Sequence, residues 1–229
     1  MSTLVCLPFA GGNQSSFAFL RRHLQPDLRL KVLEYSGHGQ RINAPLLDCL
    51  DAVVEDAHQQ LLAAPEDDYL LYGHSMGACV AFLLAERLNH SVLPPPKHVF
   101  LSGHGVITER RRRQRHLLPS DQFFALLAEM QGTPSEILDC KELLELFEPI
   151  LRADFAVLDN YRRTNFSPLP YSFTVLHGQN DVHTSRDSVQ AWRRLCLGDF
   201  SFHEFSGGHF FIHDHPKLLA QLIADVAFG

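Results

Sequence analysis

The feature that most constrains this chain is the run Gly73-His74-Ser75-Met76-Gly77, entered from the apolar segment Tyr69 to Tyr72 and left through Ala78-Cys79-Val80-Ala81-Phe82-Leu83-Leu84. The segment before it reads as a buried strand, and Met76 to Leu88 reads as a helix. A serine set between strand and helix, with glycines two residues to either side, fits a sharp corner. The turn holds the serine in a strained backbone conformation, and side chains at 73 and 77 would collide with the neighbouring strand and helix. Chance can supply the five residues alone, so their setting carries the argument. That setting predicts Ser75 as a nucleophile.

The rest of the chain supplies a sheet for this corner. Leu4 to Phe9, Leu30 to Tyr35, Lys97 to Ser102, Ser172 to His177 and Phe200 to Phe205 read as further strands. Ser15 to Leu24, Leu46 to Leu62, Ser185 to Leu195 and Pro216 to Ala227 read as helices between or after them. This βα alternation predicts a mostly parallel sheet flanked by helices. Residues 108 to 165 break the pattern, offering only helical stretches such as Asp121 to Met130 and Lys141 to Tyr161. An insertion there can cover the carboxyl ends of the strands, where open α/β sheets bind ligands. The fold class is therefore α/β, an α/β-hydrolase fold with residues 1–229 as one domain and a helical lid insertion at about 108–165.

Composition narrows the partners. The 229 residues are 45% apolar, enough for one sizeable core. A formal charge of −6 gives no basis for nucleic-acid or anionic-membrane binding. No run approaches the roughly 18 apolar residues of a membrane span, and the first ten residues lack a signal-peptide pattern. Cys6, Cys49, Cys79, Cys140 and Cys196 are an odd, widely spaced set with no C-x-x-C pair. The cysteine pattern predicts a reducing, cytoplasmic setting, and a monomer is expected.

A serine hydroxyl needs a base, and this fold places one near the end of the chain. Of fourteen histidines, His209 follows the last predicted strand in Ser206-Gly207-Gly208-His209-Phe210-Phe211, where two glycines permit a sharp loop. The acid should lie between nucleophile and base, after a strand. Asp181 does so in Val175-Leu176-His177-Gly178-Gln179-Asn180-Asp181. Asp154 and Asp159 fall in the insertion and Asp187 opens a helix, which makes them weaker candidates. The Met76 N–H opens the helix behind Ser75 and is one expected oxyanion donor. A second is expected from Pro8-Phe9-Ala10-Gly11-Gly12, with Phe9 and Ala10 both open.

Two clusters are less informative. His209, His213, Asp214 and His215 raise a metal site, but Pro216 opens a helix and makes Asp214 or His215 its expected cap. No metal is expected. Arg110, Arg111, Arg112, Arg113 and Arg115 form a basic run, read either as a solvated face or as a docking patch for an acidic partner.

Taken together the motifs resemble a type II thioesterase of nonribosomal peptide and polyketide synthesis. The resemblance spans nearly the whole chain. It rests on Cys6-Leu7-Pro8-Phe9-Ala10-Gly11-Gly12, Tyr35-Ser36-Gly37-His38-Gly39-Gln40-Arg41, Gly73 to Gly77 and Ser206 to Phe211. In the insertion it rests on Leu117-Leu118-Pro119-Ser120-Asp121 with Phe123, Gly132-Thr133-Pro134 and Leu151-Arg152-Ala153-Asp154. Ser36 stands where many members carry a proline, a change of loop stiffness rather than chemistry.

The resemblance implies hydrolysis of acyl thioesters on the phosphopantetheine arm of acyl or peptidyl carrier proteins, which clears misloaded or stalled synthases. It implies no cofactor, since the substrate carries the phosphopantetheine. Carrier proteins are acidic, so it favours docking at Arg110 to Arg115. A carboxylesterase or lipase acting on oxygen esters would share the same catalytic residues. A non-catalytic hydrolase-fold binding protein is the reading from another class.

Overall fold

In a computed structural model, the chain is described at residues 1–106, 114–130, 132 and 140–229. Six strands form one sheet: β1 (Ser2–Leu7), β2 (Leu28–Val32), β3 (Tyr69–His74), β4 (His98–Ser102), β5 (Ser172–Gly178) and β6 (Phe200–Phe205). Their order is β2-β1-β3-β4-β5-β6, and all five pairings are parallel. The described helices are α1 (Ala18–Arg21), α2 (Leu50–Ala63), α3 (Met76–Leu88), α4 (Ser120–Met130), α5 (Lys141–Asn160), α6 (Arg186–Gln190) and α7 (Pro216–Phe228).

Strand residues point alternately to opposite faces; the inner strands β1, β3, β4 and β5 are buried almost throughout, whereas the edge strands β2 and β6 are only partly buried and alternate apolar with polar residues. Val5, Leu7, Tyr69 and Leu71 join the core under α2 and α3, whereas Leu4, Cys6, Leu70 and Tyr72 join the core under α7. Phe123, Leu127, Met130, Leu151 and Phe155 form a third, smaller core between α4 and α5, with Ala10 packed against it. The inserted helices thus rest on the loop after β1.

Boundaries differ from expectation where local chemistry intervenes. The first strand stops at Leu7 because Pro8 has no N–H to give the ladder. The segment expected as one helix from Ser15 is a 3₁₀ turn over Gln14–Phe17 followed by the single-turn α1. Its start is fixed by Asn13, whose side chain caps Ser15 N–H while Ser16 Oγ accepts from Asn13 N–H. The expected helix from Ser185 is likewise α6 followed by a 3₁₀ turn over Ala191–Leu195. Among the described residues no helix is long and apolar enough to cross a membrane.

Candidate active site

The corner after β3 is built as the glycine spacing predicts. Ser75 has φ 54° and ψ −118°, and is the one non-glycine residue with positive φ among the described residues. That strain lifts its Oγ above the carboxyl ends of the strands. A Cβ on Gly73 would overlap the carbonyl of Gly77, and one on Gly77 would overlap the carbonyl of Leu7. Helix α3 therefore approaches β1 and β3 at backbone distance, and Met76 N–H sits in its first turn.

His209 and Asp181 meet Ser75 from the far ends of β6 and β5. Ser75 Oγ lies 2.8 Å from His209 Nε2, and His209 Nδ1 lies 2.7 Å from Asp181 Oδ2. All three residues are buried. The other carboxylate oxygen, Asp181 Oδ1, accepts the N–H groups of His183 (2.8 Å) and Thr184 (3.1 Å). Burial raises the Asp181 pKa, but the His209 hydrogen bond and charge together with the two backbone N–H groups outweigh it, and the carboxyl is held below its ordinary value. A carboxylate in this position fixes the imidazole with Nδ1 protonated and leaves Nε2 free to accept the serine proton.

His74, the variable residue of the motif, packs behind this line. Its ring centroid is 5.5 Å from that of His209 and 5.2 Å from that of Phe210, and its Nδ1 pairs with Ser102 Oγ at 2.9 Å. Burial, reinforced by His209 and His213, pushes its pKa well below the ordinary value. His74 is therefore neutral and adds no charge against a protonated His209. Its role was not legible from sequence, because the motif leaves that position open.

Two cavities meet at Phe9 and Ala10. The smaller, about 40 Å³, reaches Ser75 and is lined by Leu127, Met130, Leu151, Phe155, Leu158, Arg115 and Phe210. The larger, about 350 Å³, runs along Gly11 to Ser16 and is bounded by Phe19, Phe147, Leu151 and His213. In the loop between them, Gly12 N–H is taken by Phe9 O at 2.9 Å and Gly11 N–H by Asp154 Oδ2 at 2.7 Å.

Asp154 and Asp159 lie outside the Ser75 line, each with a structural bond of its own. Asp159 receives the Arg115 guanidinium (3.0 and 2.7 Å) and its N–H (2.7 Å), and that guanidinium lies 4.8 Å over the Phe155 ring. Arg115 thus belongs to the pocket wall. Arg110, Arg111, Arg112 and Arg113 lie outside the described residues. Of the C-terminal cluster, His213 stacks on Phe210 and His215 turns to Ser206 O. His215 occupies the N-cap position before Pro216, but no side chain caps that helix. No group of three metal-ligating side chains is assembled among the described residues. Ser36 Oγ donates to Pro45 O at 2.7 Å, closing by hydrogen bond the turn that a proline would stiffen.

Residues 2–226 match the thioesterase domain family. The chain belongs to that family. It is accordingly a hydrolase acting on thioesters. The chain is 31% identical to the gramicidin S biosynthesis protein GrsT of Aneurinibacillus migulanus over 212 residues, 92% of this thioesterase and 83% of that protein. The crystal structure of ClbQ from the colibactin pathway superposes with a TM-score of 0.91 at 27% identity, over 98% of this chain and 96% of that one. YbtT, a type II thioesterase of the yersiniabactin pathway, superposes at 0.88 with 28% identity, over 100% and 94%. The α/β-hydrolase fold expected from the strand-turn-helix corner is the fold of this thioesterase.

Proposed function

We propose that this thioesterase removes acyl groups from the phosphopantetheine arm of acyl or peptidyl carrier proteins, clearing misloaded or stalled synthases, with Ser75 as nucleophile, His209 as base and Asp181 as its orienting acid. The observation that carries the proposal is the continuous line Ser75 Oγ–His209 Nε2 and His209 Nδ1–Asp181 Oδ2 at 2.8 and 2.7 Å. The carrier-bound substrate is supported by relatives whose names place them in peptide and polyketide assembly.

The chemistry follows from those distances. Ser75 Oγ attacks the thioester carbonyl as its proton passes to His209 Nε2, and the carbonyl electron pair moves onto oxygen. Met76 N–H and an N–H of Phe9 or Ala10 receive that oxyanion. Its collapse breaks the C–S bond. The leaving thiolate, whose thiol has a pKa of about 8.5, takes the proton from His209. Water, deprotonated by His209, then releases the carboxylic acid and restores Ser75.

In this reading the acyl group enters the small cavity beside Met130 and the arm follows the larger one, since the two meet at Phe9 and Ala10. Helices α4 and α5 act as the lid over both. The basic run docks the acidic carrier. Because Arg115 is already paired with Asp159, the charge left for docking comes from Arg110 to Arg113.

The decisive experiment presents carrier proteins loaded with short, long, branched and aminoacyl groups and follows each by intact mass. Loss of the acyl mass with wild type and its retention with Ser75→Ala is expected. A Ser75→Ala enzyme that still turns over, or a wild type that cleaves only free small thioesters, overturns the corresponding half of the proposal. Charge reversal at Arg110 to Arg113 should slow carrier-bound substrates while sparing small ones.

A further inference from the structure

Asp154 sits on α5, the longer inserted helix, and is buried. One oxygen of it, Oδ2, takes two hydrogen bonds from different parts of the fold: Gly11 N–H after β1 at 2.7 Å and His38 Nε2 after β2 at 2.9 Å. His38 Nδ1 in turn faces Ser36 O at 3.0 Å. A carbonyl only accepts, so Nδ1 carries a proton; with Asp154 ionised, Nε2 donates as well and the contact is an ion pair. Three segments adjacent in space but 116 and 143 residues apart in sequence are joined at one atom.

The joint lies next to the oxyanion loop. Gly11 follows Ala10, one of the two candidate donors, and the turn is closed by Gly12 N–H on Phe9 O. Leu151, one turn before Asp154 on the same helix, lies so close that a Cβ on Gly11 would come within 2.6 Å of its Cδ2. The loop is therefore held by α5 through one charged hydrogen bond and one apolar contact. A bare carboxylate beside a developing oxyanion would oppose it, and the His38 cation neutralises that charge.

We propose that Asp154 is a positioning residue for the oxyanion loop, coupling the seat of α5 to the backbone donors at Phe9 and Ala10. Through Asp154 the hole takes its working geometry only while the inserted helix is docked. Donor placement matters because removing one oxyanion donor typically costs about a hundredfold to a thousandfold in rate. Tilting a donor by losing its anchor should cost part of that. The inference rests on Ser75 being the nucleophile.

The test compares wild type, Asp154→Asn, Asp154→Ala and Ser75→Ala on a small acyl thioester, with a trifluoromethyl ketone of the same acyl chain as transition-state mimic. Asn keeps the shape and one acceptor for Gly11 N–H but loses the charge on His38, and it stays informative if Ala fails to fold. The expected result is a fall in kcat of about tenfold for Asn and up to about a hundredfold for Ala. KM should change less than about threefold, and ketone affinity should fall in step with kcat/KM. A folded Asp154→Asn enzyme with wild-type kcat overturns the inference, as does a loss confined to KM or to melting temperature. An active Ser75→Ala enzyme would instead remove the catalytic reading on which it stands.

Discussion

His209 Nδ1 donates to Asp181 Oδ2 across 2.7 Å, while Asp181 Oδ1 is occupied by two backbone N–H groups of its own loop. The carboxylate is thus fixed from one side and the imidazole is aimed from the other. Asp181→Asn would keep the shape but present an amide that can donate to Nδ1, which favours the wrong tautomer. By analogy with buried His–Asp pairs elsewhere, kcat should fall by about 10⁴. Steady-state hydrolysis of a small thioester measures it, and a loss below about tenfold would remove Asp181 from the catalytic line.

What could be read in the chain beforehand divides along sequence distance. The corner at Ser75 was legible because strand, glycines and helix are contiguous, and its meeting with His209 and Asp181 because each follows a strand tip in a fixed order. The seat of Asp154 was not. Its partners Gly11 and His38 lie on other strands' loops, and no local pattern reveals a carboxylate shared across the insertion. The Gly11 motif is expected to supply an oxyanion donor and the His38 motif marks a resemblance, but neither points to Asp154. Apolar spacing predicts continuous helices after Asn13 and Ser185, because it does not separate a 3₁₀ turn from an α-helix.

Gly77→Ala tests the close approach of α3 to β1. Its Cβ, fixed rigidly on the helix backbone, would overlap the Leu7 carbonyl oxygen, itself backbone, so relief requires moving a buried helix against a central strand. A destabilisation of about 3 kcal/mol is expected from such overpacking. The midpoint of urea unfolding reports it. A variant within about 1 kcal/mol of wild type would show that the helix can shift freely and that the glycine is not required by packing.

Met130 lines the small cavity at Ser75, together with Leu127 and Phe155. Its mostly apolar lining suits an apolar acyl group. Met130→Ala should lengthen the preferred acyl chain by about two carbons, because each methylene in an apolar pocket changes discrimination by about 1–3 kcal/mol. Rates across a series of straight-chain acyl thioesters give the optimum directly. An unchanged optimum would place the acyl chain elsewhere, with the larger cavity along Gly11 to Ser16 as the next site to alter.

The His38–Asp154 pair also makes a prediction about pH. Burial lowers the His38 pKa, but the hydrogen bond and charge of Asp154, with the Ser36 carbonyl and the charge of Glu34, outweigh it, and the net shift is upward. Tyr35 presents its ring edge-on, at 5.9 Å between centroids, and its phenol, pushed up by burial, stays neutral. A histidine with a raised folded-state pKa binds its proton more tightly in the native chain than in the unfolded one. Its stabilisation is complete below the unfolded value of about 6.5 and drains away as pH rises through the folded value. Wild type should therefore lose stability on the alkaline side of about pH 6.5, and His38→Gln should flatten that limb while lowering stability at pH 6. Urea unfolding at a series of pH values from 5.5 to 9 separates the two curves. If they run parallel throughout, His38 does not carry the extra proton, and the neutralising charge beside the oxyanion loop must be sought elsewhere.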